Sequence, residues 1–410
     1  MLAMKEFKNN RDQYMSSVLS LTSIVAGIIT IVYFVAQSWI DGFLGLSKPL
    51  IILMLFGFFV TPATDFWLAR QRYEYKYIKA GIIMIVSSVL ASLFSVLAVI
   101  VAANKGITNL AGIRLVSTYL VIYGVAIVLW VYIMYKGKTY IRTDYWKYSL
   151  KLSIPLIGNS VAMQILSVSD RSMISKMVGN SELGIYGVLY TVSSLSLIIW
   201  RAINSSFVPF LFEKIDDFKN RTKIQSVSSS LMLVYGAAAF LMTLVAPEIV
   251  RILATEEYYE AIYIMPSIAA GVFFTSISNL YSNILIYYKK TNVIMISSII
   301  AAIVNLVLNY IFIKVWGYMA AAYTTLIAYV ILAVVQSIVA NSVIRKREDY
   351  NNSDVYDNKK LLLVSVCTTA LCLSALLLYS NTIIRYTVIA SIAIVCIAFH
   401  KKIINVIKLK

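Results

Sequence analysis

Long apolar runs separated by short polar connections dominate the chain. Twelve of these runs are long enough to cross a bilayer, whose hydrocarbon core is about 30 Å thick, at about 1.5 Å of rise per helical residue. They cover residues 17–39, 49–69, 78–103, 112–135, 150–177, 183–209, 226–246, 261–288, 292–313, 318–343, 360–379 and 383–399. The pattern therefore predicts an all-α, polytopic membrane protein with about 12 transmembrane helices.

The composition agrees with this fold class. Hydrophobic residues make up 60% of the 410 residues and charged residues only 13%, with a mean hydropathy of +0.80. One soluble core cannot hide so much apolar surface. The net charge of +17 would suggest nucleic acid in a soluble protein, but here the basic residues lie almost entirely in the connections between apolar runs. We therefore predict membrane lipids, and no nucleic acid, among the partners.

The distribution of Lys and Arg predicts the orientation of the chain. When the connections are assigned alternately to the two sides, 27 of the 36 basic residues fall on the side that holds both termini. Connections rich in Lys and Arg remain on the cytoplasmic side of a membrane. We expect both the N-terminus and the C-terminus to be cytoplasmic.

Charged residues inside two neighbouring apolar runs mark the first candidate site. The stretch Lys151–Phe210 carries Asp170, Arg171 and Arg201 within segments otherwise suited to lipid. Ionisable groups at membrane depth cost several kcal/mol unless they meet a partner or a wet cavity. Two cationic groups at different depths would suit an anionic substrate. Asp170 is expected to bind a neighbouring helix, and a role in coupling is its alternative. The alternative is structural, with each Arg reaching the interface or pairing with a carboxylate.

Asparagine pairs form a second candidate set. Asn279 and Asn283 are four residues apart in the eighth run, and Asn305 and Asn309 repeat that spacing in the ninth. Residues so spaced share one face of a helix. They are candidates for lining a polar cavity and contacting substrate. Hydrogen bonding between packed helices is the favoured interpretation, and lining a polar cavity is the alternative.

Catalytic and metal-binding motifs are absent from the sequence. There is no P-loop, no HExxH and no GxSxG, and the chain has a single His, so we predict a transporter without catalytic residues, cofactor or metal. Asp65 lies close in sequence to Arg70 and Arg72. A structural salt link is the expected role of Asp65, and proton coupling is the alternative.

Three segments resemble a known family. They read KYSLKLSIPLIGNSV, SVSDRSMISKMVGNSELGIYGVLY and NLVLNYIFIKVWGYMAAAYTTLIAYV. These are similar to the polysaccharide biosynthesis or O-antigen repeat-unit flippases, the Wzx-type members of the multidrug/oligosaccharidyl-lipid/polysaccharide (MATE-like) exporter superfamily. The matching positions are Pro155, Asp170, Arg171, Gly184, Ile185, Tyr186, Asn305, Leu308, Asn309, Tyr310, Gly317, Ala321, Ala322 and Thr325.

The resemblance implies two helix bundles around a central cavity. It places an incomplete N-terminal bundle of four helices at 1–149 and a C-terminal bundle of six helices at 150–345. A cytoplasmic linker and two extra transmembrane helices follow at 346–410. The family motif at Pro155 normally opens the second bundle of a longer chain, so the first two family helices are expected to be missing here.

The resemblance also implies a function. Family members translocate undecaprenyl-pyrophosphate-linked oligosaccharide repeat units across the bacterial cytoplasmic (inner) membrane, for O-antigen, lipopolysaccharide, capsule or exopolysaccharide synthesis. They do so together with a polysaccharide polymerase and other assembly proteins. Arg171 and Arg201 would then face pyrophosphate or acidic sugars, because the planar guanidinium donates two charge-assisted hydrogen bonds to such oxyanions.

Two other functions remain open from the sequence. The first is a multidrug exporter of the same superfamily for organic cations, although the buried charges here are net basic. The second is a membrane glycan polymerase or ligase, which would be expected to carry essential residues in external loops.

Overall fold

The computed structural model describes residues 2–253, 256, 259–346 and 354–398. The described chain is helical throughout, so the prediction of an all-α, polytopic fold is confirmed. Part of the predicted linker and the C-terminal end, residues 347–353 and 399–410, lie outside the described residues.

The helices follow one another with short connections. In the first part of the chain they are α1 (Leu2–Glu6), α2 (Arg11–Val35), α3 (Gln37–Leu44), α4 (Lys48–Tyr73), α5 (Tyr77–Asn104), α6 (Leu110–Gly137) and α7 (Thr143–Met177). The remainder are α8 (Asn180–Ser193), α9 (Ser196–Lys214), α10 (Arg221–Leu253), α11 (Met265–Tyr287), α12 (Thr291–Trp316), α13 (Ala320–Arg345), α14 (Asn358–Leu378) and α15 (Thr382–Ala398).

The predicted membrane spans recur in the structure in the same order. Among the described residues, 11 helical segments are long and apolar enough to cross a membrane, with α8 and α9 together forming one of them. The twelfth predicted span corresponds to a shorter apolar helix, Thr382–Ile392. Several helices extend beyond the predicted runs, because hydropathy detects only residues suited to hydrocarbon, whereas polar residues continue a helix into the interface.

The described chain divides into two compact units, Met1–Lys151 and Leu152–Lys410, with the division inside α7. In unit 1, α6 is the central helix and packs against α2, α4 and α5. Gly137 at the end of α6 permits a close approach, since a Cβ there would meet the Asp12 carbonyl oxygen and the Ser16 side chain. The predicted bundle boundaries, 1–149, 150–345 and 346–410, stay predictions.

Unit 2 is built around α11. Of the most apolar window of α11, 83% is buried, compared with 11% for α5 in unit 1. Helix α11 packs against α13, α14, α10, α9 and α8, and α12 packs against α13. The exposed apolar residues on the outer helices are suited to lipid contact.

One predicted span is interrupted. The run expected as a single helix at 183–209 is divided into α8 and α9 at Ser194 and Leu195. Three side chains near this break bond back to carbonyl groups of α8: Thr191 to Gly187, Ser193 to Leu189 and Ser194 to Thr191. Such bonds compete with the helical ladder and bend a helix.

A buried polar network and its neighbouring arginine as a candidate functional site

Asp170 lies fully buried on α7 and accepts three hydrogen bonds from three other helices. Tyr186 on α8 donates through its hydroxyl to Oδ2 at 2.8 Å. Thr325 on α13 donates to the same oxygen at 2.7 Å, and the Asn309 amide on α12 donates to Oδ1 at 2.9 Å. One carboxyl group thereby joins α7, α8, α12 and α13.

Amides and hydroxyls surround this carboxyl group. Asn305 accepts from Ser169 at 2.9 Å and from Asn309 at 3.1 Å, and it donates to Thr325 at 3.2 Å. Thr324 donates a hydrogen bond to the side-chain oxygen of Asn309. These seven residues form what we call the Asp170 network: Ser169, Asp170, Tyr186, Asn305, Asn309, Thr324 and Thr325.

The buried carboxyl group of Asp170 has its hydrogen-bonding capacity met by donors from the protein. An ionised carboxylate only accepts hydrogen bonds, and the three groups around Asp170 each have a proton to donate. Within the described residues no cation forms an ion pair with Asp170. Buried polar groups of this kind are costly when unpaired and specify one packing arrangement when fully paired. The Asp170 network therefore stabilises the packing of four helices.

Arg171 follows Asp170 directly but points to a different environment. Its guanidinium carbon lies 4.8 Å from the centre of the Tyr190 ring, a distance typical of a cation–π interaction. The Tyr190 hydroxyl is in turn 3.4 Å from the hydroxyl of Tyr329 on α13. The Arg171 Nε–H is buried, and no described group accepts a hydrogen bond from it. The guanidinium thus retains donor capacity for an oxyanion.

The other predicted arginine lies apart from these residues. Arg201 is exposed on α9 and belongs neither to the Asp170 network nor to the Arg171–Tyr190 pair. Its role in substrate contact stays a prediction.

The four predicted asparagines occupy three different settings. Asn305 and Asn309 are fully buried in the Asp170 network. Asn283 is buried on α11, and its amide donates to Asn204 on α9 at 2.9 Å. Asn279, one turn earlier, is exposed.

The role of Asp65 stays a prediction. Its side chain is exposed on α4, and within the described residues it forms no ion pair. Arg70 pairs with Asp12 and Glu74 instead. Asp65 and Asp170 therefore have contrasting surroundings, one open and one enclosed.

Several members of the site were not selected from the sequence. Tyr186 and Thr325 matched the family segments but carried no assigned role, and Ser169, Thr324 and Tyr190 were not considered. A usable signal existed for the tyrosines, because Tyr186 and Tyr190 are four residues apart and share one face of α8. Nothing in the local sequence distinguishes Ser169 or Thr324 from the many other hydroxyl residues in apolar helices.

The described residues contain no group of three or more His, Cys, Asp or Glu side chains that could hold a metal ion.

The all-helical fold and the apolar helices define a multi-pass membrane protein. The crystal structure of a mutant of the Vibrio cholerae MATE transporter VcmN matches with a TM-score of 0.69 at 13% identity, covering 83% of this chain and 80% of that one. The lipid II flippase MurJ, in an inward closed conformation, gives a TM-score of 0.47 at 17% identity, over 96% of this chain and 85% of that one. No match was found among the curated proteins.

The amino-acid sequence matches one protein family. The model of the family described as "Polysaccharide biosynthesis protein" matches residues 2–263, which is more than half of the chain. The chain belongs to this family of polysaccharide biosynthesis proteins. The predicted resemblance to polysaccharide biosynthesis proteins is thereby confirmed, and the matched range includes the first two of the three segments.

Proposed function

We propose that the chain is a flippase for lipid-linked oligosaccharides. Its substrate would be an undecaprenyl-pyrophosphate-linked repeat unit, moved across the bacterial cytoplasmic membrane for O-antigen, capsule or exopolysaccharide synthesis. Membership of the polysaccharide biosynthesis family supports the substrate class. The single structural observation that carries the proposal is Arg171, a partly buried cation with an unused donor beside a fully paired polar network.

Arg171 suits a pyrophosphate in two ways. The ring of Tyr190 lies against the guanidinium, and the Arg171 Nε–H has no acceptor among the described residues. Because the donors of the Asp170 network already bind Asp170, that carboxylate does not compete for the guanidinium. A charge-assisted hydrogen bond from Arg to a phosphate oxygen contributes about 1.5–3 kcal/mol.

The remaining polar residues divide between substrate and scaffold in this proposal. Arg201 is exposed and would provide a second cationic contact at a different depth. Asn279, also exposed, would hydrogen-bond sugar hydroxyls. Asn283, Asn305 and Asn309 already bind protein groups and would position the helices. Alternating access would then expose the Arg171 site to one side of the membrane and afterwards to the other.

Flipping in proteoliposomes tests the proposal. The purified chain is reconstituted with a fluorescently labelled undecaprenyl-pyrophosphate oligosaccharide, and movement between leaflets is followed by quenching from outside. We expect Arg171→Ala and Arg201→Ala each to slow flipping about tenfold or more, as the loss of about 1.5 kcal/mol implies. Arg171→Lys keeps the charge without the planar fork and should be intermediate.

A matched control comes from α12. Lys314 lies 3.8 Å from the centre of the Tyr310 ring and is exposed, so Lys314→Ala removes a similar cation–π pair outside the proposed site. It should flip substrate at the wild-type rate. Wild-type flipping by both Arg171→Ala and Arg201→Ala would refute the assignment of these residues.

Export of organic cations is the second candidate function, because the fold is that of a MATE transporter. The same proteoliposomes can be loaded with ethidium and assayed for its release. Release of ethidium without movement of the oligosaccharide lipid would favour the exporter. A longer glycan product in the flipping assay would instead favour a polymerase or ligase.

A further inference from the structure

Unit 1 contains a polar cavity at one end of its helices. The cavity has a volume of about 180 Å³ and lies between α2, α4, α5 and α6. We call it the basic cavity; its charged lining consists of Asp12, Arg70, Glu74, Lys76, Lys79 and Lys136. Its volume is that of roughly six water molecules at about 30 Å³ each, enough for a phosphate group with its immediate substituents.

The basic cavity carries surplus positive charge. Glu74 is neutralised by Arg70 at 2.8 Å and by Lys76 at 2.5 Å. Asp12 pairs with Arg70 and lies 3.6 Å from Lys136. The lining therefore holds four basic groups against two acidic ones.

Lys79 is the basic group of the cavity that has no ion pair within the described residues. It is exposed and lies in the first turn of α5. The free N–H groups at the start of this 28-residue helix add partial positive charge on the same side. An anion entering the cavity would meet the Lys79 ammonium without displacing an existing partner.

The surroundings of the basic cavity are apolar and exposed. Ile78 is 80% exposed and Tyr135 is 75% exposed, and each is adjacent in sequence to a lysine of the cavity. Helix α5 exposes apolar side chains along most of its length. In a chain with this many apolar helices, such a surface faces lipid. A ligand with a charged head and apolar chains therefore fits better than a free ion.

We propose that the basic cavity binds the phosphate of an anionic phospholipid headgroup, while the acyl chains lie against the exposed face of α5. Basic pockets between transmembrane helices bind anionic headgroups in this manner. This site is in unit 1 and is independent of the Asp170 network, which is in unit 2.

Fluorescence of Trp67, which lines the basic cavity, provides a direct assay. The full chain is purified in neutral detergent and titrated with dioctanoyl-phosphatidylglycerol, and retained lipid is counted by native mass spectrometry. We expect a saturable signal that is lost in Trp67→Phe. Lys79→Gln should raise Kd about fivefold, which corresponds to one lysine near a charged headgroup. Lys79→Arg should bind as the wild type does.

Lys147→Gln is the matched control. Lys147 is an exposed lysine of unit 1 that does not line the basic cavity, so Kd should not change. Because Lys79 has no ion pair to lose, Lys79→Gln should also melt at the wild-type temperature, which separates binding from folding.

Four results would overturn the proposal. Dioctanoyl-phosphatidylcholine could bind as tightly as phosphatidylglycerol, which would remove the requirement for net negative charge. Inorganic phosphate could produce the same saturable signal at equal concentration, which would indicate a free-phosphate site. The Kd of Lys79→Gln could equal that of the wild type, or native mass spectrometry could detect no retained phosphatidylglycerol.

Discussion

Removing the Asp170 carboxyl group tests whether the Asp170 network holds unit 2 together. In Asp170→Ala, Tyr186, Thr325 and Asn309 lose their common acceptor at 2.7–2.9 Å. An unsatisfied buried donor costs about 1–3 kcal/mol. The substitution also removes the cost of burying the carboxylate itself, so the sum is smaller than three independent losses. We expect a destabilisation of about 3–5 kcal/mol.

Asp170→Asn should have a smaller effect. Its amide oxygen still accepts hydrogen bonds, but its NH₂ group faces donors and leaves at least one of them without a partner. A loss of about 1–3 kcal/mol follows. The ranking wild type, Asn, Ala in decreasing stability is therefore a stricter test than either variant alone.

Thermal unfolding in detergent, followed by intrinsic fluorescence, measures these differences. At about 2–4 °C per kcal/mol for domains of this size, Asp170→Ala should melt roughly 10 °C below the wild type. Asp65→Ala removes an exposed carboxyl group from α4 and should melt within about 2 °C of the wild type. If Asp170→Ala melted as close to the wild type as Asp65→Ala does, the stabilising role of the network would be refuted.

Two further predictions concern other parts of the chain. Burial alone would raise the pKa of Glu74, but hydrogen bonds and charges from Lys76 and Arg70 outweigh burial and lower this pKa to about 2. The ionised Glu74 therefore stabilises the folded state fully above about pH 4.5, and this stabilisation is lost as the pH falls towards 2. The melting difference between wild type and Glu74→Gln should be smaller at pH 3 than at pH 7, and an unchanged difference would contradict this. Asn283→Ala should lower the free energy of unfolding by about 1–2 kcal/mol, because its hydrogen bond to Asn204 on α9 is lost. Asn279→Ala on the same helix should leave stability nearly unchanged. Equal melting temperatures of the two variants would contradict a stabilising role for the Asn283 bond.

The number and order of the spans were predictable because each depends on local composition. A run such as 78–103 is apolar on all sides, and its helix α5 is exposed almost throughout, so the hydropathy signal and the structure report the same property. The break between α8 and α9 was not predictable in this way. It depends on hydroxyl side chains bonding to the backbone, and such residues also occur in unbroken helices.

The candidate site was predictable in part. The spacing of Asn305 and Asn309 predicted one shared face, and both residues lie in the Asp170 network. Asn279 and Asn283 have the same spacing, but Asn279 is exposed and Asn283 is buried. The environment of a helix face depends on which neighbouring helix covers it. Arg201 shows the same limit. Its charge is evident in the sequence, but its exposure depends on tertiary packing.

The near-complete burial of α11 has a consequence for how the chain enters the membrane. The most apolar window of α11 has a mean hydropathy of 1.3, against 2.6 for α5, and polar residues such as Ser278 and Ser282 donate to Gln336 on α13. A segment of this kind partitions weakly into lipid by itself. Since α13 is synthesised after α11, Ser278 and Ser282 gain their Gln336 acceptor only when the later helix arrives. Biogenesis of unit 2 is then a cooperative assembly step rather than a series of independent helix insertions.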